Sequence, residues 1–113
     1  MLANVSIYHF LVSCCPPCRK EMLPLVKWMK QHPVVRVVMV YLDRDSQNAQ
    51  DFLAQNNIQV PRNVGNMRDA FALGVRGLPA TLIIGAKGEI NKRHIGDIEW
   101  GNKESRDEVL RWL

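Results

Sequence analysis

Cys15 and Cys18 are the residues of this chain whose type and spacing point most directly to chemistry. They lie in the run Ser13-Cys14-Cys15-Pro16-Pro17-Cys18-Arg19-Lys20-Glu21, between a segment dense in β-branched and aromatic residues and one with helical periodicity. A C-x-x-C at a strand–helix junction puts the first sulfur at the helix N-cap, where backbone N–H groups lack intrahelical partners and the helix dipole favours negative charge. Such surroundings bring a cysteine pKa from about 8.5 into roughly the 3.5–7.5 range. The thiolate is the species that attacks disulfides, so an ionised and accessible Cys15 is predicted to be a nucleophile near neutral pH. Cys18, one turn later on the same face, is positioned to reach Cys15 and expel a partner held as a mixed disulfide.

Two plainer readings compete. A C-x-x-C is also half of many zinc sites, but the chain has no second such pair, and His9, His32 and His94 have no finger-like spacing. A buried structural pair is the other; two prolines between two cysteines at a strand–helix junction argue against it. Cys14 stands apart. Adjacent Cα atoms lie about 3.8 Å apart, below the roughly 4.4–6.8 Å usual for a disulfide, so a Cys14–Cys15 bond is disfavoured. Cys14 is either a small side chain in an aromatic's space, a third thiol competing for Cys18, or a soft-metal ligand with Cys18.

The elements that must hold these sulfurs follow from the apolar periodicity. Residues 5–12 read as a central strand covered on both faces. Pro16 and Pro17 start a helix, where a missing N–H is harmless, and Met22, Leu25, Val26 and Met29 share one face. Pro24 is expected to kink that helix, and His32-Pro33 to end it. Residues 34–42 are a second buried strand. Asp43, Asp45 and Ser46 offer capping oxygens to a second helix with Ala49, Phe52 and Leu53 on one face. Residues 58–65 read as irregular, and 67–73 as a short helix closed by Gly74. Residues 80–84 and 89–95 form a hairpin whose second strand is charged enough for a sheet edge. Ser105 and Glu108 match the capping-box spacing of a terminal helix carrying Val109, Leu110 and Leu113. The expectation is one α/β domain over residues 1–113, a central mixed four-stranded sheet with helices on both faces.

Composition agrees with a globular domain. The chain has 113 residues, 47% hydrophobic and 23% charged, which excludes a disordered tail. Three cysteines are too few for a disulfide-stapled miniprotein. The net charge of +4 is mild and its basic residues are dispersed, so no nucleic-acid partner is expected. No run approaches the roughly 20 apolar residues of a membrane span. Residues 1–4 lack the basic front of a signal peptide, so the chain is expected to be cytosolic or to have lost a targeting segment.

The run Cys15-Pro16-Pro17-Cys18-Arg19-Lys20-Glu21-Met22, followed far later by Gly77-Leu78-Pro79-Ala80-Thr81, resembles the TlpA/ResA-type thiol–disulfide oxidoreductases of the thioredoxin-like superfamily. The likeness extends through residues 43–53 and 74–79 to the hairpin around Lys87-Gly88 and His94-Ile95-Gly96. It implies a thioredoxin-like fold, with Cys15 as attacking and Cys18 as resolving cysteine. By the same resemblance Pro79 is a cis-proline beside the site, and Leu78, with Gly77, Pro16 and Pro17, lines the groove for a substrate's extended backbone. Away from the cysteines, Pro79 would read as an ordinary turn proline. Glu21 matches an acidic residue tied to thiol proton transfer, or is a solvated helix glutamate. Departures exist as well: Cys14 and Leu11 stand where relatives carry tryptophan. His9 stands where they carry Asn or a buried Asp, either as a proton shuttle for Cys18 or as a half-buried histidine.

The resemblance implies a disulfide-exchanging enzyme, working as a reductant on protein disulfides and reset by an upstream dithiol reductase. It needs no cofactor beyond the Cys15–Cys18 couple and no metal. The expected setting is the periplasm or cell envelope, with the cytoplasm as alternative. A monomer is expected, touching a membrane only through a targeting or anchor segment outside this chain. The rival is a Cu(I)-handling module using Cys14, Cys15 and Cys18, with His94, as ligands.

Overall fold

The computed structural model describes residues 5–58 and 63–113; residues 1–4, read above for a signal peptide, and residues 59–62 of the irregular stretch lie outside them. The elements are β1 (Ser6–Leu11), α1 (Pro16–Gln31), β2 (Arg36–Tyr41), α2 (Ser46–Gln55), β3 (Asn63–Val64), α3 (Met67–Ala72), β4 (Ala80–Ile84), β5 (Ile90–Ile95) and α4 (Lys103–Trp112). They form one mixed sheet in the order β3-β2-β1-β4-β5. β1 is central, parallel to β2 and antiparallel to β4, as its all-round apolar sequence requires. The sheet has five strands rather than four. β3, only two residues long and exposed, pairs with Val40 and Tyr41, and such a stub is too short to carry an alternating pattern.

Side chains alternate across each strand, so the residue parity of β1 decides which layer it enters. Ile7, His9 and Leu11 point to the face covered by α1, α2 and α4. There Ile7 and Leu11 join Met22, Leu25, Trp28, Met39, Phe52, Ile83, Trp100 and Val109 in the larger core. Phe10 points the other way, into a smaller core with Leu42, Ala70, Val75, Ala80 and Leu82 beneath α3. β5 is the charged edge expected of it, with Asn91, Lys92 and Arg93 exposed.

α1 runs as one helix through Pro24. The carbonyl that proline leaves without a donor belongs to Lys20, an exposed residue, so water can take the place of the lost bond. α4 is capped by Asn102, whose side chain accepts from the N–H groups of Glu104 and Ser105, and not by Ser105. An equally good cap three residues earlier extends the helix by a turn. Leu110 is exposed, whereas Val109 is buried and Trp112 and Leu113 pack half-buried against the larger core.

Candidate active site

The two sulfurs are held by the passage from β1 into α1. Cys15 is the N-cap residue of α1, with extended backbone, and its carbonyl accepts the first helical hydrogen bond from Arg19 N–H at 3.0 Å. Pro16 and Pro17 occupy the first positions of the helix, where no N–H is missed, and both are exposed. Cys15 is half-buried and Cys18 fully buried, so the pair has an outer and an inner sulfur. All three cysteines are thiols, and Cys14 is exposed. Burial pushes the Cys18 thiol well up, and its hydrogen bond to Cys15 acts in the same direction, because both favour the protonated form.

A second segment closes the site from the far side. Leu78–Pro79 is a cis peptide bond, and Cys15 Sγ lies 4.0 Å from the Leu78 carbonyl oxygen. Leu78 and Gly77 are half-buried and Pro79 is buried. The Pro79 carbonyl accepts from Gly96 N–H at 2.8 Å, fastening the segment to the end of β5. A Cβ on Gly77 would stand 3.0 Å from Ile95 Cγ2, so the glycine lets the segment lie close against that strand. The loop before α1 is fastened separately. Asp43 accepts from the Ser13 backbone N–H at 3.1 Å and from the Ser13 hydroxyl. Asp43 therefore does not cap α2; Asp45 does, accepting from Gln47 N–H at 2.9 Å.

Beneath the sulfurs lies a buried polar cluster. Glu21, one turn past Cys18, is 3% exposed, so it is not a solvated helix glutamate. Its Oε2 accepts from Trp100 Nε1–H at 2.6 Å and lies 3.7 Å from His9 Nε2. Burial pushes the Glu21 carboxyl up to about 7, against the opposing hydrogen bonds from Trp100 and from the Ile98 backbone. His9 is fully buried rather than half-buried, and burial pushes its imidazole down to about 4, so it is neutral at pH 7. Its contact with Glu21 is then not an ion pair. His9 Nδ1 lies 3.2 Å from the Thr81 hydroxyl, its register partner on β4. Glu21 also lines an open cleft of about 370 Å³ with Lys20, Pro24, Asp97, Trp100 and Asn102, which brings solvent near a carboxyl that is itself covered.

The cluster joins four positions that the sequence alone leaves apart. Trp100 is 79 residues from Glu21, and Thr81 is 72 from His9, so no local pattern links them. The one available signal was parity: His9 shares its strand face with Ile7 and Leu11, which places it under α1. Among the described residues, no three His, Cys, Asp or Glu side chains converge to hold a metal ion. The Cys14, Cys15, Cys18 and His94 set of the Cu(I) reading thus has no common centre, and the His94 ring lies tilted beside Trp112, centroids 5.6 Å apart.

The Redoxin family profile matches residues 3–110. The chain belongs to the Redoxin family. Within it, this Redoxin chain is 32% identical over 97 residues to the sporulation thiol-disulfide oxidoreductase A of Bacillus subtilis, a match covering 80% of the chain. It is 30% identical over 93 residues, 78% of its length, to the thiol-disulfide oxidoreductase ResA of Halalkalibacterium halodurans. The matches span 59% and 52% of those two relatives. The crystal structure of StoA from Bacillus subtilis superposes with a TM-score of 0.79 at 25% identity, covering 99% of this chain and 84% of that one. The Redoxin chain therefore has the thioredoxin-like fold, with the five-stranded sheet described above. Among the described residues no helix is long and apolar enough to cross a membrane.

Proposed function

We propose that this chain is a thiol–disulfide oxidoreductase that reduces protein disulfides through Cys15 and Cys18. The observation that carries the reading is the asymmetry of the pair: a half-buried cysteine at a helix N-cap, backed by a fully buried one a turn away. The names of the two relatives support the same activity.

In this mechanism the Cys15 thiolate attacks one sulfur of a substrate disulfide and the other sulfur leaves as a thiolate, which takes a proton from water. The Cys18 thiol then gives its proton toward Glu21, and the Cys18 thiolate attacks Cys15 Sγ. The second substrate thiolate is released and the Cys15–Cys18 disulfide forms, two electrons having passed to the substrate. Burial makes the second deprotonation the harder one, so a nearby carboxylate poised close to neutrality is the suitable base. An upstream dithiol resets the pair. Pro16, Pro17, Gly77, Leu78 and Pro79 flank Cys15 and would receive the extended backbone around the target disulfide. No cofactor beyond the cysteine couple is required, and the resemblance to ResA-type proteins favours a monomeric reductant of the cell envelope.

Insulin reduction in the presence of dithiothreitol tests the reading. Turnover is expected in the parent protein and a loss of about a thousandfold in Cys15→Ser, which lacks the nucleophile. Equal turnover in the two proteins, or stoichiometric copper copurifying with an inactive parent, would overturn it.

A further inference from the structure

His9 makes one contact too many for a packing residue. It is fully buried, its Nδ1 faces the Thr81 hydroxyl at 3.2 Å, and its Nε2 has no hydrogen-bond partner but points at Glu21 Oε2 from 3.7 Å. That gap is about half an ångström longer than a good hydrogen bond, within reach of a small side-chain movement. A neutral imidazole has one N–H and one lone pair, while a hydroxyl both donates and accepts. Thr81 can therefore serve either ring tautomer. With the proton on Nδ1, the ring donates to Thr81 and shows Glu21 a lone pair, the partner that a protonated carboxyl needs. With the proton on Nε2, the ring accepts from Thr81 and donates to Glu21, the partner that a carboxylate needs.

We propose that His9 is a positioning residue that holds Glu21 in whichever protonation state the thiol step demands, by exchanging tautomers against Thr81. The proposal rests on the oxidoreductase reading, in which Glu21 takes the Cys18 proton. When Glu21 is ionised, its Oε2 accepts from both Trp100 and His9; when it takes up the proton, the acid O–H donates to the ring. The imidazole keeps a single proton throughout, and the proton that Cys18 loses leaves Glu21 for the solvent of the adjoining cleft. The surrounding groups leave the ring neutral. Met39, its register partner on β2, carries no charge, and Thr81 and Trp100 are uncharged too. Asp97 acts on Glu21 and opposes its ionisation, and the charge of Glu21 in turn opposes that of Cys18. A neutral partner is what a dry site tolerates, since an ion pair there must overcome the desolvation of both charges.

The test is the ring proton of His9, followed by NMR in the intact, reduced protein carrying 15N-labelled histidine, from pH 5 to pH 9. The expected result is a ring that stays neutral while its proton moves from Nδ1 to Nε2 across the titration of Glu21. In Glu21→Gln the tautomer is expected to stay fixed over the same range. A single unchanging tautomer in the parent, or an identical switch in Glu21→Gln, would overturn the proposal. A second arm times the release of substrate from the mixed disulfide in His9→Phe. Release is expected to slow about tenfold at pH 7 with its pH midpoint raised, and the attack by Cys15 is expected to be unchanged. An unchanged release profile would overturn the coupling to Cys18. A ring that switches in a protein unable to reduce insulin would sink the oxidoreductase reading while upholding the proton coupling of His9 and Glu21.

Discussion

The two faces of the sheet are built to different rules. Beneath α3, the buried side chains Phe10, Leu42, Ala70, Val75, Ala80 and Leu82 are apolar. Beneath α1, the same central strand places His9 among Ile7, Leu11 and Met39, and Thr81 and Glu21 are buried with it. Buried polar groups are expensive unless they find partners, so a cluster of them on one face alone needs a reason. The reason lies in the helix above: α1 carries Cys18 and Glu21 on its buried side, and the proton of the inner thiol must go somewhere. One face holds the fold together, and the other also handles a proton.

Truncation on the apolar face should give the largest effect and the least informative chemistry. Leu82→Ala, at a fully buried site, is expected to cost about 2–5 kcal/mol in denaturant unfolding. Its stability should depend on pH as the parent's does. A changed pH dependence would mean that the two faces are not separate.

Charge removal on the polar face should do the reverse. The Glu21 carboxyl, raised from 4.5 to about 7, binds its proton in the folded state where the unfolded chain has lost it, so its contribution falls as pH rises from 4.5 to 7. The His9 imidazole, lowered from 6.5 to about 4, is bare in the folded state where the unfolded chain is protonated, so its contribution rises with pH from 4 to 6.5. The two slopes oppose each other over most of this range and nearly cancel. Glu21→Gln should expose the histidine slope, with stability gained from pH 4 to 6.5. His9→Phe should expose the glutamate slope, with stability lost from pH 4.5 to 7. Each change amounts to about 3 kcal/mol, at about 1.4 kcal/mol per pH unit. Urea unfolding across that range measures both, and parallel curves for the parent and both variants would break the contrast between the faces.

The sequence showed the scaffold better than it showed this division. The density of apolar residues in β1, the paired prolines after Cys15 and the charges of β5 each have one structural meaning, and each was readable in isolation. β3 was not, because a two-residue strand is defined by its neighbour. The outer and inner sulfurs follow from local spacing, whereas Glu21 was ambiguous until the Trp100 indole, brought in by the chain between β5 and α4, covered it. Asp43 is the opposite case: a carboxylate near a helix start is a good cap locally, but Ser13, 30 residues away, holds it.

The central claim concerns which sulfur strikes first. Cys18→Ser, incubated with a disulfide substrate and digested without reductant, should be recovered with the substrate joined to Cys15. Peptide mapping that found the adduct on Cys14 instead, or found no adduct at all, would contradict the division of labour between an outer attacking sulfur and an inner resolving one.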